Sequence, residues 1–290
     1  MKGNAVGKRE FIQELESAGI RPRHALGQNY LWDRALLKRL LEEAEVYPLH
    51  AVLEIGPGAG SLTKILAESA EKLIAVEIDP QTRPLLEALE EDYPVLDVMY
   101  EDALQLDLGR LFTPEEKEEL QIIANLPYYL TTELIRHCIL SLPEAKAMHF
   151  MVQKEVLPRL SGTAGDGKSQ SKNKGSLSVL IAAYGELRAH RVVKAGAFYP
   201  APRVDSRFVS LIKKAKPGVS EVLEKAPEKL DAVIRQAFSV RRKTLLNAFP
   251  DKNDKMRLKK WLKAENLPLN VRAEQLAPAE FAALTRVLCL

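Results

Sequence analysis

The sequence predicts an α/β protein, with a doubly wound parallel sheet followed by a small all-helical domain. Three observations predict it. Short apolar runs bounded by turn residues alternate with helical stretches through residues 50–153, the pattern of strand–helix–strand units. A glycine-rich turn, GPGAG at 56–60, sits between the first such strand and the first such helix. From about residue 218 onward the signals are helical only. The expected boundaries are 1–216 for the sheet domain, with a helical N-terminal extension over 1–48, and 217–290 for the C-terminal helical domain.

In chain order, HAVLEIG (50–56) reads as a buried strand and SLTKILAESA (61–70) as its helix. EKLIAVEID (71–79) is a second strand and PQTRPLLEALEED (80–92) a second helix. PVLDVMYED (94–102) and LQIIAN (120–125) are further strands, with a helix at 131–141. AKAMHFMVQ (145–153) is another strand, and KEVLPRL (154–160) opens another helix. SGTAGDGKSQSKNKGS (161–176) is poor in apolar residues and rich in Gly, Ser and Lys, so it reads as a loop. LSVLIAAYG (177–185) is expected to be helical. RVVKAG and SRFVSLIKK read as late strands around the turn AFYPAPRVD.

The chain has 290 residues, 46% of them hydrophobic and 28% charged, an ordinary balance with ample core. Its start is polar and lacks the apolar run of a signal peptide, and no stretch reaches membrane-spanning length. Only Cys138 and Cys289 occur, so neither a disulfide framework nor a CxxC metal pair is expected, and a reducing cytoplasm is the expected location. Residues 1–150 carry 15 Lys and Arg against 26 Asp and Glu, a net of −11; the remaining 27 and 13 give residues 151–290 a net of +14. A basic half points to a polyanionic partner such as nucleic acid, or else to a solvated Lys-rich helical surface.

In LEIGPGAGSLT, Gly56, Gly58 and Gly60 follow a strand and precede a helix, where glycine lets main chain approach a ligand. Glu77 ends the next strand 21 residues after Gly56, placed to accept from both hydroxyls of a ribose. A dinucleotide fingerprint needs G-x-G-x-x-G, but reading from Gly56 or Gly58 puts Ser61 or Thr63 at the last position, which argues against NAD. GxGxG followed by an acid resembles the loop of S-adenosylmethionine-dependent methyltransferases, whose cofactor has no pyrophosphate to seat. Asp102 follows the third strand, where its carboxylate would accept from the amino group of the cofactor's adenine. Asp79 reads instead as the cap of the helix opened by Pro80.

IIANLPYYLTTELI (122–135) runs strand material into a turn and then a helix that Thr131 or Thr132 can cap. Pro127 fixes its own φ and holds Leu126 extended. Asn125 and Tyr128 therefore stand on a stiffened turn at the carboxyl end of a strand, the edge where open α/β sheets bind ligands.

Asn125-Leu126-Pro127-Tyr128 resembles the [NDS]-P-P-Y motif of methyltransferases acting on exocyclic amino groups. That resemblance implies that the Asn125 side-chain oxygen and the Leu126 carbonyl accept from the target amine and that Tyr128 stacks on the target base. HALGQNYL (24–31), MVQKEV (151–156), FYPAPRVDS (198–206), AFSVRRKTL (237–245) and RAEQLAPAEF (272–281) are similar to segments of KsgA-type small-subunit ribosomal RNA adenine dimethyltransferases, in family order from about residue 24 to 281. The resemblance implies a Rossmann-like class I methyltransferase domain and S-adenosylmethionine as cofactor. The implied reaction is transfer of two methyls to each of two adjacent adenines in a loop near the 3′ end of small-subunit 16S rRNA. It implies that Asn29, Leu31, Gly56, Gly58, Glu77, Asp102 and Asn125 line the cofactor site. It also makes Phe198 a second aromatic of the base pocket, beside the alternative of a core Phe in a Pro-rich turn. A monomer without membrane or metal partners is expected. One stretch departs from the family: the 161–176 loop ends Lys174-Gly175-Ser176 where the family has a shorter segment ending Tyr-Gly-Arg.

LDAVIRQAFSVRRKTLLNAF (230–249) reads as one helix with an apolar stripe at Ile234, Phe238, Leu245 and Phe249. Arg241 falls within the stripe and is expected to be partly buried and paired. Arg235 and Arg242 flank it, Lys243 lies on the far side, and all three are expected to reach RNA phosphates. Trp32 and Trp261 read as packing residues. Beside catalysis stand three other readings. One is an RNA-binding ribosome-assembly scaffold with little turnover. Another is a large-subunit rRNA adenine methyltransferase, against which RAEQLAPAEF and AFSVRRKTL favour the small-subunit branch. The third is a nicotinamide oxidoreductase, disfavoured by the missing glycine.

Overall fold

Near-continuous apolar runs make central parallel strands, because such strands are covered on both faces. The computed structural model describes residues 7–162, 174–216, 218–240 and 243–290. Its strands are β1 (Tyr30–Leu31), β2 (Leu49–Ile55), β3 (Ala70–Val76), β4 (Leu96–Met99), β5 (Leu120–Asn125), β6 (Ala147–Gln153), β7 (Gly185–Val193), β8 (Phe198–Tyr199) and β9 (Ser206–Lys213). A seven-stranded sheet has the order β4-β3-β2-β5-β6-β9-β7, and β1 pairs antiparallel with β8 in a separate small ribbon. β2 runs parallel to both β3 and β5, β3 to β4, and β5 to β6. The chain thus winds outward from β2 to β4 and returns to the other side of β2 at β5. At such a reversal the two sets of crossovers diverge and open a crevice at the carboxyl ends of the strands.

Val52, Leu53, Leu73, Ala75, Ile122 and Ile123 are fully buried along the central strands. The helix Arg34–Glu43 buries Leu37, Leu40 and Leu41 at helical spacing, and Asp33 caps it by accepting from the Leu36 amide at 2.9 Å. The expected strand at 94–102 is only Leu96–Met99. RVVKAG contributes Arg191–Val193 to β7 and then turns as a 3-10 segment at Ala195–Ala197. A short helix not anticipated from the sequence, Pro114–Glu119, starts at a Thr113/Glu116 capping box.

The chain forms two compact units interleaved in sequence. One takes residues up to Cys138, Glu144–Glu155 and Arg188–Leu211; the other takes Ile139–Pro143, Val156–Leu187 and Ile212–Leu290. The helix Ser176–Tyr184, expected with the sheet domain, belongs to the second unit. Leu177–Ile181, Ala183 and Tyr184 are all buried. A helix apolar on all sides needs cover on all sides, and the helices Pro227–Ala237 and Pro278–Cys289 supply part of it. Within that unit Phe238 and Phe281 stack at 6.1 Å.

The single helix expected over 230–249 ends at Ala237, and a short helix, Leu245–Ala248, follows. The break has a local cause. Ser239 turns its amide (3.1 Å) and its hydroxyl (2.7 Å) onto the Gln236 carbonyl, closing a tighter turn. Ile234, Leu245 and Phe249 are nonetheless buried as the stripe required. Arg241, Arg242 and most of the 161–176 loop lie outside the described residues. Among the described residues no helix is long and apolar enough to cross a membrane.

Candidate active site

Four consecutive parallel strands deliver the site. Gly56 follows β2, Glu77 follows β3, Asp102 lies three residues past β4, and Asn125 ends β5. Asn29, Gly56, Gly58, Glu77, Ile78, Asn125, Leu126 and Tyr128 share the wall of one pocket. Asp102 lines an adjoining pocket with Gly56, Ile78 and Tyr129. Leu31 lines a third with Gly56, Glu54 and Asn125.

The three glycines of the turn have different reasons to be glycine. All three have positive φ, at +72°, +58° and +78° for Gly56, Gly58 and Gly60. A Cβ at Gly60 would lie 2.6 Å from Leu89, and one at Gly58 would lie 2.7 Å from the Tyr30 ring. At those two positions the protein's own side chains already pack close, on top of the positive φ. A Cβ at Gly56 meets nothing within 4 Å. Gly56 and Gly58 both stand on the pocket wall, and at Gly56 the space where a side chain would stand is open.

Glu77 is buried, and main chain already holds both its oxygens: Oε2 accepts from the Gly58 amide at 2.8 Å and Oε1 from the Asp79 amide at 2.8 Å. Burial pushes its carboxyl above the usual carboxylate range, while the two amides work in the opposite direction by favouring the ionised form. Each carboxylate oxygen keeps a second lone-pair site for a ribose hydroxyl. Asp102 Oδ1 accepts from the Leu104 amide at 2.9 Å. The donor set and the open Gly56 fit a nucleoside-bearing cofactor.

Asp79 does cap as the sequence suggests, accepting from the Gln81 amide at 3.1 Å. It does more than that: Gln28 Nε2 donates to Oδ2 at 2.8 Å and Arg23 Nη1 to Oδ1 at 3.2 Å. Nothing local to either segment signals these bonds, which span 51 and 56 residues.

Asn125 donates Nδ2 to the Asn29 main-chain oxygen at 2.9 Å. A carbonyl can only accept, so this contact fixes which way the amide points and leaves Oδ1 as its acceptor on the pocket wall. Tyr128 shares a 2.7 Å hydrogen bond with the Ser206 hydroxyl, and burial raises its phenol above the ordinary value. The Thr131 hydroxyl donates back to the Pro127 carbonyl at 3.3 Å.

Phe198 does not present its ring to this pocket. It is fully buried in the apolar core with Leu31, Leu37, Val193 and Phe208, and β8 pairs it with Leu31. The geometry takes the core alternative; contact with a base would require that cover to open. Tyr30 is the aromatic the sequence reading missed. It lines two of the pockets, and its buried hydroxyl has no partner among the described residues.

In the second unit, Arg235 is exposed and lies 4.0 Å from Asp231 one turn back, and Lys243 is exposed. Arg242 lies outside the described residues. A denser basic surface occurs on the helix Lys252–Ala264, where Lys252, Arg257, Lys259, Lys260 and Lys263 are all exposed. Trp261, on the same helix, is buried, as a packing residue should be.

Over residues 19–289 the chain matches the family model described as ribosomal RNA adenine dimethylase. It is 35% identical over 274 residues to the ribosomal RNA small subunit methyltransferase A of Clostridium acetobutylicum, covering 94% of this chain and 96% of that protein. A crystal structure of a dimethyladenosine transferase from Plasmodium falciparum superposes with a TM-score of 0.64 at 25% identity, over 86% of this chain and 94% of that one. The 23S rRNA methyltransferase ErmE shares the fold, with a TM-score of 0.58 at 24% identity over 90% of this chain and 100% of that one.

Proposed function

The chain belongs to the ribosomal RNA adenine dimethylase family, and on that premise we propose that it dimethylates the exocyclic amino groups of two adjacent adenosines in the 3′-terminal hairpin loop of 16S rRNA, within the small ribosomal subunit, as a step in ribosome biogenesis. S-adenosylmethionine, when bound, supplies a methyl group already activated on a sulfonium. The protein's own task is to bind, orient and exclude.

Glu77 accepts from the ribose hydroxyls, Asp102 from the adenine amino group, and Gly56 lets main chain pass close to the ligand. Asn29 and Leu31 cover it from the N-terminal side. At the target, an adenine amine is a poor nucleophile because its lone pair is delocalised into the ring. Asn125 Oδ1 and the Leu126 carbonyl accept its two N–H groups, which favours tetrahedral nitrogen and directs the lone pair. Tyr128 stacks on a base that is unpaired or flipped out of a helix. Orientation and electrostatics carry the rate, and the proton leaves to solvent after transfer.

The observation that carries this reading is the 2.9 Å bond from Asn125 Nδ2 to the Asn29 oxygen, which leaves the amide oxygen as the acceptor on the pocket wall. The test is methyl transfer from labelled cofactor to unmethylated small subunits, naked rRNA and large subunits. Label concentrated in small subunits supports the proposal; label in large subunits alone, or in none, removes it.

A further inference from the structure

Residues 23–29 form a strap with one end on Asp79, just past β3 and Glu77, and the other on Asn125. At the first end, Asp79 is almost wholly buried and receives both Gln28 Nε2 (2.8 Å) and Arg23 Nη1 (3.2 Å). Gln28 Oε1 in turn accepts from the Arg23 amide at 2.7 Å, so both ends of the Gln28 amide are committed and its orientation is determined. At the other end, Asn29 Nδ2 bonds the Gly27 carbonyl at 3.0 Å, and the Asn29 carbonyl accepts from Asn125. Asp79 also donates its main-chain amide to Glu77 Oε1 at 2.8 Å. Hydrogen bonds therefore link Gly58 to Glu77, Glu77 to Asp79 and Asp79 to Gln28; the peptide chain carries the connection on to Asn29, and one more bond reaches Asn125.

The acceptor for Asn125 Nδ2 is main chain on the strap, so the orientation of the Asn125 amide is only as well defined as the position of residue 29. The side-chain anchor next to that residue is Gln28 on Asp79. We propose that Gln28 and Asp79 are positioning residues for methyl transfer: their buried contact sets the Asn29 carbonyl, and through it the direction in which Asn125 presents its oxygen to the target amine. The inference rests on the reading of Asn125 given above. It adds that the group holding the cofactor ribose and the group aiming the target amine are mechanically joined by one carboxylate.

The chemistry allows a swap test. Gln28→Glu sets two carboxylates against each other. Asp79→Asn gives Gln28 either an amide N–H₂ to face or a rotated side chain that abandons the Gln81 amide and Arg23. The double variant Gln28→Glu with Asp79→Asn reverses donor and acceptor and restores the bond, because the introduced amide now donates to the introduced carboxylate. Each variant is measured for single-turnover methyl transfer to unmethylated small subunits at saturating S-adenosylmethionine, for the ratio of mono- to dimethyladenine, for cofactor affinity and for melting temperature. Gln28→Ala, which introduces no buried repulsion, guards against single variants that fail to fold.

Each single variant and Gln28→Ala should slow transfer about 10- to 100-fold, the scale of a small misplacement at a reacting centre, and should enrich monomethyl product. The double variant should recover most of the rate and the wild-type ratio. Wild-type rates and ratios in Gln28→Ala, losses confined to cofactor affinity, or a double variant no better than the worse single would each overturn the proposal. Failure of the wild-type protein to methylate small subunits at all would instead remove the functional reading beneath it.

Discussion

Asn125 and Asn29 stand 96 residues apart and meet through one hydrogen bond of 2.9 Å, side-chain amide to main-chain carbonyl. The bond joins the turn after β5 to the N-terminal strap and decides which atom of Asn125 is left for a substrate. The amide is thus divided into a nitrogen held by main chain and an oxygen left on the pocket wall.

Glu77→Ala should weaken S-adenosylmethionine binding, since charge-assisted hydrogen bonds of this kind are worth about 1.5–3 kcal/mol each. It should also lower stability, because the buried amides of Gly58 and Asp79 lose their acceptor. Calorimetric titration with thermal unfolding checks both. Unchanged affinity in a destabilised protein would confine Glu77 to holding the loop.

Tyr128→Phe keeps the ring and loses only the hydrogen bond to Ser206, so transfer should change little. Tyr128→Ala removes the stacking face, worth about 1–3 kcal/mol per base, and should lower kcat/KM for the RNA. Equal effects of the two substitutions would move the role of Tyr128 from the ring to the hydroxyl.

His149 gives the protein a pH dependence away from the site. Gln121 Nε2 donates to the Val46 carbonyl, so its Oε1 must accept from His149 Nε2 at 3.0 Å. His149 Nδ1 is then an acceptor, taking the Ser210 hydroxyl proton at 2.8 Å, and His190 Nε2 donates to that hydroxyl at 2.7 Å. Burial holds the His149 pKa down at about 3, from 6.5. Below pH 6.5 the unfolded chain binds a proton at this residue that the folded protein refuses. Stability from it is therefore whole above pH 6.5 and falls by about 1.4 kcal/mol per unit as pH drops toward 3. Urea unfolding of wild type and His149→Gln at pH 7, 6 and 5 should show the difference between them shrink with falling pH. A constant difference would mean that folding leaves the His149 pKa where it is in the unfolded chain.

Lys259 and Lys263 are exposed one turn apart on the helix Lys252–Ala264. If that face meets phosphates, Lys259→Ala with Lys263→Ala should flatten the dependence of log affinity on log salt by about one to two units. A wild-type slope in the double variant would return the face to solvent.

The strands, the glycine turn, Glu77 and the Asn125 turn were legible because period-2 and period-3.6 patterns record burial along the local chain. Partners distant in sequence leave no such trace. Asp79 reads locally as a cap, and only the fold brings Arg23 and Gln28 to its carboxylate. Gly58 and Gly60 look like ligand glycines, and nothing local signals that Tyr30 and Leu89 also pack against them. The single helix expected over 230–249 followed a continuous apolar stripe, and hydrogen bonds to one carbonyl at Gln236 broke it. Phe198 stands in a motif whose family reading is aromatic contact with a base, and β8 pairing carries it into the core instead.

Asn125 Oδ1 is the proposed acceptor for the target amine. A monomethylated amine has a single N–H left, so the two transfers cannot use identical hydrogen bonds, and loss of one acceptor should affect them unequally. The direct measurement is mass spectrometry of nuclease-digested rRNA from single-turnover reactions of wild type and Asn125→Ala on unmethylated small subunits. The variant should bind the particle normally, react about 10²–10³ more slowly, as expected for losing one oriented polar group at a reacting centre, and give a changed ratio of mono- to dimethyladenine. A wild-type rate with an unchanged ratio would contradict the account, reducing Asn125 to a residue that shapes the turn.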